Sequence, residues 1–231
     1  MTVLQTCDAL DTFSFHEQPV LVVEQFLHLD ERQHLREGMA QANWKALRDI
    51  PQTREDFPNS GNWEKAEIQP PYGRFLMERL ALPCIKNYVE SFPNITGLHI
   101  GFSYYSYGAG DCLLTHDDTA QGGGGPRAPR RRLAAVLYLH EEWHPDWGGE
   151  LIVYDTRRPG GRATGAPQGG DGRTQPSTTE MAELRISHCI APRPGSLVVF
   201  TVPRFHRVCR VDPTAGAHKR LSIAGWFMTQ H

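Results

Sequence analysis

No stretch of this sequence approaches the roughly 18 apolar residues that a membrane-crossing helix needs, so no membrane partner is expected. Cysteine is scarce. Its five copies, Cys7, Cys84, Cys112, Cys189 and Cys209, are scattered and form no C-x-x-C pair, which argues against a zinc ribbon and against a disulfide framework. An excess of one charge is also missing. The formal net charge is −2, so no overall basic field invites nucleic acid, and no direct nucleic-acid contact is expected. The segment from Met1 to Phe15 carries acids and polar residues where a signal peptide has a basic end and an apolar centre. A soluble, reducing compartment, cytoplasmic and/or nuclear, is the expectation. There is no internal repeat. Hydrophobic residues reach 39%, and Gly 22 and Pro 17 explain much of the shortfall because many of them cluster in loops. A length of 231 residues suits one domain over 1–231, with helical support and a first strand in 1–96 and a β core in 97–231.

The apolar spacing supports that division. Val20 to Leu27 is a short run that reads as a strand. Asp30 with Gln33 three residues on offers a capping box, opening a helix with Leu35, Met39, Ala42 and Ala46 on one face. Pro51 to Pro71 is rich in helix breakers and reads as irregular. Pro83 suits the first turn of a helix that aligns Ile85, Tyr88, Val89 and Phe92.

From Gly97 the period changes to two, with Leu98, Ile100, Phe102 and Tyr104 alternating with smaller or polar neighbours. Further strands are expected at Cys112 to His116, Leu133 to Leu139, Glu150 to Tyr154, Ile186 to Ile190, Ser196 to Thr201, Phe205 to Val211 and Lys219 to Phe227. So many short strands between turns indicate a mainly β fold with packed helices, a sandwich or jelly roll. Two segments, Gln121 to Arg132 and Thr156 to Glu180, are too poor in apolar residues to pack and read as mobile loops.

Within this frame His116 and Asp118 stand two apart, so an extended segment points both to one side. His206 lies far downstream, on a strand that a jelly roll folds back against the first. Two imidazoles and one carboxylate can occupy one face of an iron(II) ion and leave the other positions open. Alone, each of the 11 histidines reads as an ordinary polar residue; strand context and a nearby arginine change that balance. Alternation in the last strand puts Arg220, Ser222, Ala224 and Trp226 on one face, with Leu221, Ile223 and Phe227 on the other. A guanidinium in a dry pocket needs an anion, either a protein acid or a bound carboxylate. Tyr138 can donate to that same carboxylate, and Tyr107 precedes the turn leading to His116; both read equally as core tyrosines. His140 to His144 matches H-E-x-x-H, but Pro145 follows at once and disfavours the helix that a zinc protease requires. The arginines at 127–132 read as a solvated basic loop.

Four blocks, Tyr107 to Asp118, Ala135 to Leu139, Gly148 to Tyr154 and Arg220 to Phe227, resemble in order and spacing the 2-oxoglutarate- and Fe(II)-dependent oxygenase superfamily. The resemblance is to its prolyl hydroxylase branch, most of all to the ribosomal-protein prolyl 3-hydroxylases. It implies a double-stranded β-helix (jelly roll) core. It implies iron ligands at His116, Asp118 and His206, and a 2-oxoglutarate tail held by Arg220 and Tyr138 with help from Ser222 and Tyr107. Trp226 would line the pocket. Fe(II), 2-oxoglutarate and O2 are the implied cofactor and co-substrates, with ascorbate as a reductant. The implied partner is a proline-containing protein or peptide, such as a small-subunit ribosomal protein at the decoding centre, hydroxylated at proline C3. Three alternatives stay open: a C4 prolyl hydroxylase of a regulatory peptide, a free amino-acid oxygenase, and a non-enzymatic jelly-roll module that keeps a metal for structure.

Overall fold

Apolar residues at every second position build two facing sheets. The computed structural model describes residues 2–4, 19–92, 95–118, 130–156 and 178–229. In chain order the elements are β1 (Thr2–Leu4), β2 (Val20–Val23), α1 (Leu29–Ala40), β3 (Lys45–Ala46), α2 (Pro51–Asp56), β4 (Glu64–Glu67), α3 (Pro70–Leu80) and α4 (Pro83–Glu90). They continue with β5 (Ile95–Tyr107), β6 (Leu113–His116), β7 (Arg130–Tyr138), β8 (Leu151–Thr156), α5 (Thr178–Glu183), β9 (Leu184–Ile190), β10 (Leu197–Thr201), β11 (His206–Val208) and β12 (Arg220–Thr229). The larger sheet runs β1-β2-β10-β7-β12-β5-β4-β3 and the smaller one β6-β11-β8-β9. This is the mainly β, two-sheet architecture with helices packed outside that the strand pattern anticipates, and it agrees with the double-stranded β-helix that the resemblance implies.

Each central strand sorts its side chains by parity. Leu197 and Val199 of β10, Leu133, Ala135 and Leu137 of β7, and Ile223 and Phe227 of β12 face a core shared with the helices. Leu35, Met39, Leu76, Leu80, Ile85 and Tyr88 pack against them from α1, α3 and α4. The alternate residues Val198, Phe200, Ala134 and Tyr138 face the smaller sheet, where they meet Leu151 and Val153. In β12 the inward set includes Ser222 and Ala224, too polar or too small to close the gap, with Trp226 at its side. A cavity opens there.

Several expectations need correction. The strand expected over Val20 to Leu27, β2, stops at Val23, before Phe26 and Leu27. Helix α1 begins earlier than its proposed cap. His28 is the N-cap, and its backbone N–H donates to Glu31, while Asp30 sits inside the first turn, where an acid favours the helix dipole. Ala46 lies beyond the helix, in β3. The proline-rich stretch 51–71 is not irregular. Pro51 and Pro70 each occupy the first turn of a helix, where the missing N–H costs nothing, and β4 lies between. Residues 1–96 also contribute more than one strand to the larger sheet, where β2 pairs with β10 and β4 with β5. Arg130, Arg131 and Arg132 belong to strand β7 rather than to a basic loop. Otherwise the two loop expectations fall on 119–129 and 157–177, outside the described residues, although α5 occupies the end of the second. Cys112, Cys189 and Cys209 are free thiols, whereas Cys84 is disulfide-bonded. Among the described residues no helix is long and apolar enough to cross a membrane.

Candidate active site

The two histidines meet because their strands are hydrogen-bonded neighbours. His206 opens β11 and pairs directly with His116, the last residue of β6. Their ring centroids are 4.2 Å apart. Asp118 arrives differently from the expected extended alternation. It lies past the strand end at φ 61, in the left-handed region that aspartate tolerates better than most residues. That turn brings its carboxylate back between the two rings: Oδ1 lies 3.3 Å from His116 Nε2 and Oδ2 lies 3.3 Å from His206 Nε2. One ligand atom from each of the three residues lies within 4.8 Å of the other two, and all three residues are buried.

The outer contacts leave the inner nitrogens free for a metal. His116 Nδ1–H donates to the Leu114 carbonyl at 2.7 Å and His206 Nδ1–H to the Arg204 carbonyl at 2.8 Å, a tautomer that puts both Nε2 lone pairs toward Asp118. Phe57 and Phe200 pack edge-on against the two rings, at 5.1 and 4.8 Å between centroids. Burial, then the neighbouring His206, hold the His116 pKa below its ordinary value. Burial also pulls His206 down, but the adjacent Asp118 carboxylate outweighs it and the net shift is upward. Burial pushes Asp118 up, yet the imidazoles, His206 foremost, hold its carboxyl well below the usual range. The donor set of two imidazoles and one ionised carboxylate, with no thiolate and no fourth protein ligand among the described residues, fits iron(II) with open positions.

On the larger sheet Arg220 opens β12 and is 1% exposed. Its Nε–H donates to the Gly149 carbonyl at 2.8 Å and Nη2–H reaches Tyr138 Oη at 3.3 Å. The rings of Tyr138 and Tyr107 lie 4.8 and 5.4 Å from the guanidinium carbon. Among the described residues no acid forms an ion pair with it. A buried cation without an acid is costly, by about 3–5 kcal/mol, and demands an outside anion. Gly149 makes the approach feasible. At φ +72 it takes a conformation that disfavours side chains, and a Cβ there would stand 2.9 Å from Arg220 Cδ.

Iron donors and guanidinium share one cavity of about 540 Å³. Tyr107, Ser222 and Trp226 line it as well. Tyr138 does not line it but lies behind Arg220, where it braces the guanidinium; burial raises its phenol pKa against the pull of Arg220. The zinc-protease pattern is inert here. Residues 140–144 are not helical, and His140 is hydrogen-bonded to the Pro192 carbonyl at 2.7 Å.

Sequence reasoning missed several lining residues. Phe57, Trp63 and Lys65 fall in the stretch read as irregular. Arg131 was assigned to a basic loop, yet its guanidinium lies 3.6 Å over the Trp226 ring and its Nη1–H donates to the Asp118 carbonyl at 3.2 Å. Period-two alternation run back from Leu133 to Arg131 was the available signal.

Residues 102–228 match the 2OG-Fe(II) oxygenase superfamily. Over 140 residues the chain is 34% identical to prolyl 3-hydroxylase OGFOD1 of Xenopus laevis, a match covering 58% of this chain and 21% of that protein. The chain therefore spans about a fifth of the length of that relative. A Pseudomonas putida prolyl-4-hydroxylase has a similar fold, with a TM-score of 0.58 at 21% identity, covering 93% of this chain and 95% of that one. The epimerase SnoN, solved with Fe3+, alpha ketoglutarate and nogalamycin RO, reaches the same TM-score at 16% identity, over 93% of this chain and 80% of the other. Fold likeness thus spans more than one reaction. The family match covers more than half the chain and encloses all three buried donors and Arg220, so the chain belongs to the 2OG-Fe(II) oxygenase superfamily.

Proposed function

We propose that this enzyme hydroxylates proline in a protein substrate, specifically a small-subunit ribosomal protein at the decoding centre, on proline C3, in the cytoplasm or nucleus. The reading is supported by the likeness to a prolyl 3-hydroxylase across the segment that holds the site. One observation carries the chemistry: two Nε2 atoms and a carboxylate converge on the same cavity as an arginine that has no acid partner among the described residues.

In this reading His116, Asp118 and His206 hold Fe(II). Bound iron supplies activation of O2 and oxidation of an unactivated C–H bond, with 2-oxoglutarate as the two-electron reductant and ascorbate maintaining the ferrous state. The chain's own residues set the geometry. Leu114 and Arg204 carbonyls fix both imidazole rings with Nδ1 protonated, so each ring would present its Nε2 lone pair to the metal. Arg220 takes the distal carboxylate of 2-oxoglutarate, with Ser222 and Tyr107 beside it and Tyr138 behind. At about 4 Å and an effective dielectric of about 20, that attraction is roughly 4 kcal/mol, enough to orient a small diacid. Phe57, Phe200 and Trp226 wall the donors from bulk water and restrict stray oxidation.

The test is incubation with Fe(II), 2-oxoglutarate, ascorbate and a set of proline peptides that includes a decoding-centre sequence. Fragmentation mass spectrometry then locates the added oxygen. Hydroxylation at C3 of the decoding-centre proline is the expected result. Oxidation at C4, or of a free amino acid only, would move the enzyme to one of the alternatives, and 2-oxoglutarate binding without turnover of any substrate would sink the reading.

A further inference from the structure

Two lysines stand directly opposite each other at the border of the site, Lys45 on β3 and Lys65 on β4. Like charges opposed across an antiparallel pair are destabilising, so a sheet edge that keeps them needs another reason. Across the sheet Lys65 is in register with Tyr105, and Tyr105 with Ser222, which places the lysine on the floor that also carries Ser222 and Arg220. At ordinary strand spacing it lies about 10 Å from the strand of Arg220, too far to serve the same carboxylate.

Lys65 is half-buried and lines both the iron cavity and a second cavity of about 540 Å³. The second cavity follows the chain past Ala66, Glu67 and Ile68, with Lys45 on its other wall. The described residues give Lys65 no hydrogen bond and no ion pair. Its one partner is the Tyr105 ring, 5.7 Å from the ammonium. Burial, then the nearby Arg131, lower its pKa, and Glu67 two residues on relieves this only in part. Two other nearby acids are committed, Glu64 to Lys219 and Asp118 between the imidazoles, while Asp56 lines the iron cavity without forming an ion pair with Lys65 among the described residues. The outer edge of β4 beyond Lys65 also has no strand partner among the described residues, since β3 pairs only with Lys65 and Glu64. An open strand edge beside a groove suits an extended peptide.

We propose that the Lys45–Lys65 pair is a carboxylate-reading subsite. It takes an aspartate or glutamate side chain of the protein substrate, a few residues from the oxidised proline, while the flanking chain runs through the second cavity along β4. The inference rests on the proline reading above and narrows it to acid-flanked prolines.

The test uses the full chain loaded with Fe(II) and 2-oxoglutarate. Its probes are otherwise identical proline peptides carrying Asp, Asn or Lys at each of four positions on either side. At one position the Asp peptide should exceed the Asn peptide about tenfold in kcat/KM, chiefly through KM. Lys65→Met, which keeps the aliphatic stem on Tyr105, should erase that preference, and Lys65→Glu should shift it toward the Lys peptide. An indifferent wild type would overturn the proposal. So would a Lys65→Met enzyme whose 2-oxoglutarate KM rises while its peptide preference stays, because the pair would then serve the co-substrate. Fluorescence anisotropy of the same peptides on the oxygen-free, Mn(II)-loaded protein separates this inference from the broader one. Acid-dependent binding without proline oxidation would count against proline as the target and leave the lysine pair standing; acid-independent binding would remove the subsite.

Discussion

Trp226→Phe isolates one hydrogen bond that holds the carboxylate ligand in place. The indole N–H donates to Asp118 Oδ2 at 2.6 Å, the same oxygen that faces His206, and so fixes which lone pair remains for a metal. Asp118 stands beyond the end of β6 at φ 61, where Arg131 holds its backbone carbonyl but Trp226 gives its carboxylate the short hydrogen bond. Phenylalanine keeps a ring under Arg131, which packs 3.6 Å above, and removes only the donor. A hydrogen bond to an ionised group contributes about 1.5–3 kcal/mol, or roughly 10- to 150-fold in a binding constant. Losses of about 10- to 100-fold are typical when a partner of a metal ligand is removed. One effect opposes this: without the donor the carboxylate becomes more basic. Protons barely compete for it near neutral pH, because its pKa already lies well below the usual range, so lost orientation wins. Anaerobic titration with Mn(II) or Co(II), in competition with a chelating dye, should therefore show at least tenfold weaker binding in the variant. Affinity within twofold of wild type, in a protein that melts cooperatively, would refute the argument.

Other perturbations give separate readings. Arg220→Lys keeps the charge but loses the fork that spans Gly149 and Tyr138, and should raise the 2-oxoglutarate KM at least tenfold while changing peptide KM little; equal changes in both would contradict its role. Gly149→Ala forces a side chain into the left-handed region and against Arg220 Cδ, so we expect about 1–2 kcal/mol lower stability in urea together with weaker 2-oxoglutarate binding; a stability loss with intact binding would show that Arg220 does not depend on this close approach. His140 is buried and its pKa is lowered from 6.5 to about 4, chiefly by burial. Below pH 6.5 the unfolded chain takes up this proton and the folded one does not until near pH 4. Stability is thus lost as pH falls through that window, by about 2 kcal/mol at pH 5. Denaturation midpoints at pH 7.5 and pH 5 should show a smaller difference in His140→Phe than in wild type, and identical slopes would remove His140 as the cause.

The parity of the central strands was legible in the sequence because sheet faces obey a strict period of two. Leu197 and Val199 against Val198 and Phe200, or Ile223 and Phe227 against Ser222 and Trp226, sort themselves by position alone. The metal-binding set was legible because it needs few residue types at distances only a jelly roll brings together. The walls were not. Phe57 and Lys65 come from a segment dominated by prolines, and a proline reads alike whether it breaks a helix or begins one, as Pro51 and Pro70 do. Asp118 was placed on the right side for an incomplete reason, since spacing suggested an extended chain where a left-handed turn does the aiming. Tyr138 shows a further limit. Alternation identifies the face of a strand but not whether a side chain reaches an opening or stops behind another group.

His116 and His206 belong to the smaller sheet and Arg220 to the larger, so a keto-diacid held as proposed would be gripped at its two ends by different layers of the sandwich. Stacked sheets keep a nearly constant separation, about 10 Å. The interlayer gap therefore acts as a ruler. On that reading a diacid one carbon shorter than 2-oxoglutarate would have to give up one grip and one a carbon longer would have to buckle, so the thickness of the fold, together with the reach of Arg220, would select for chain length.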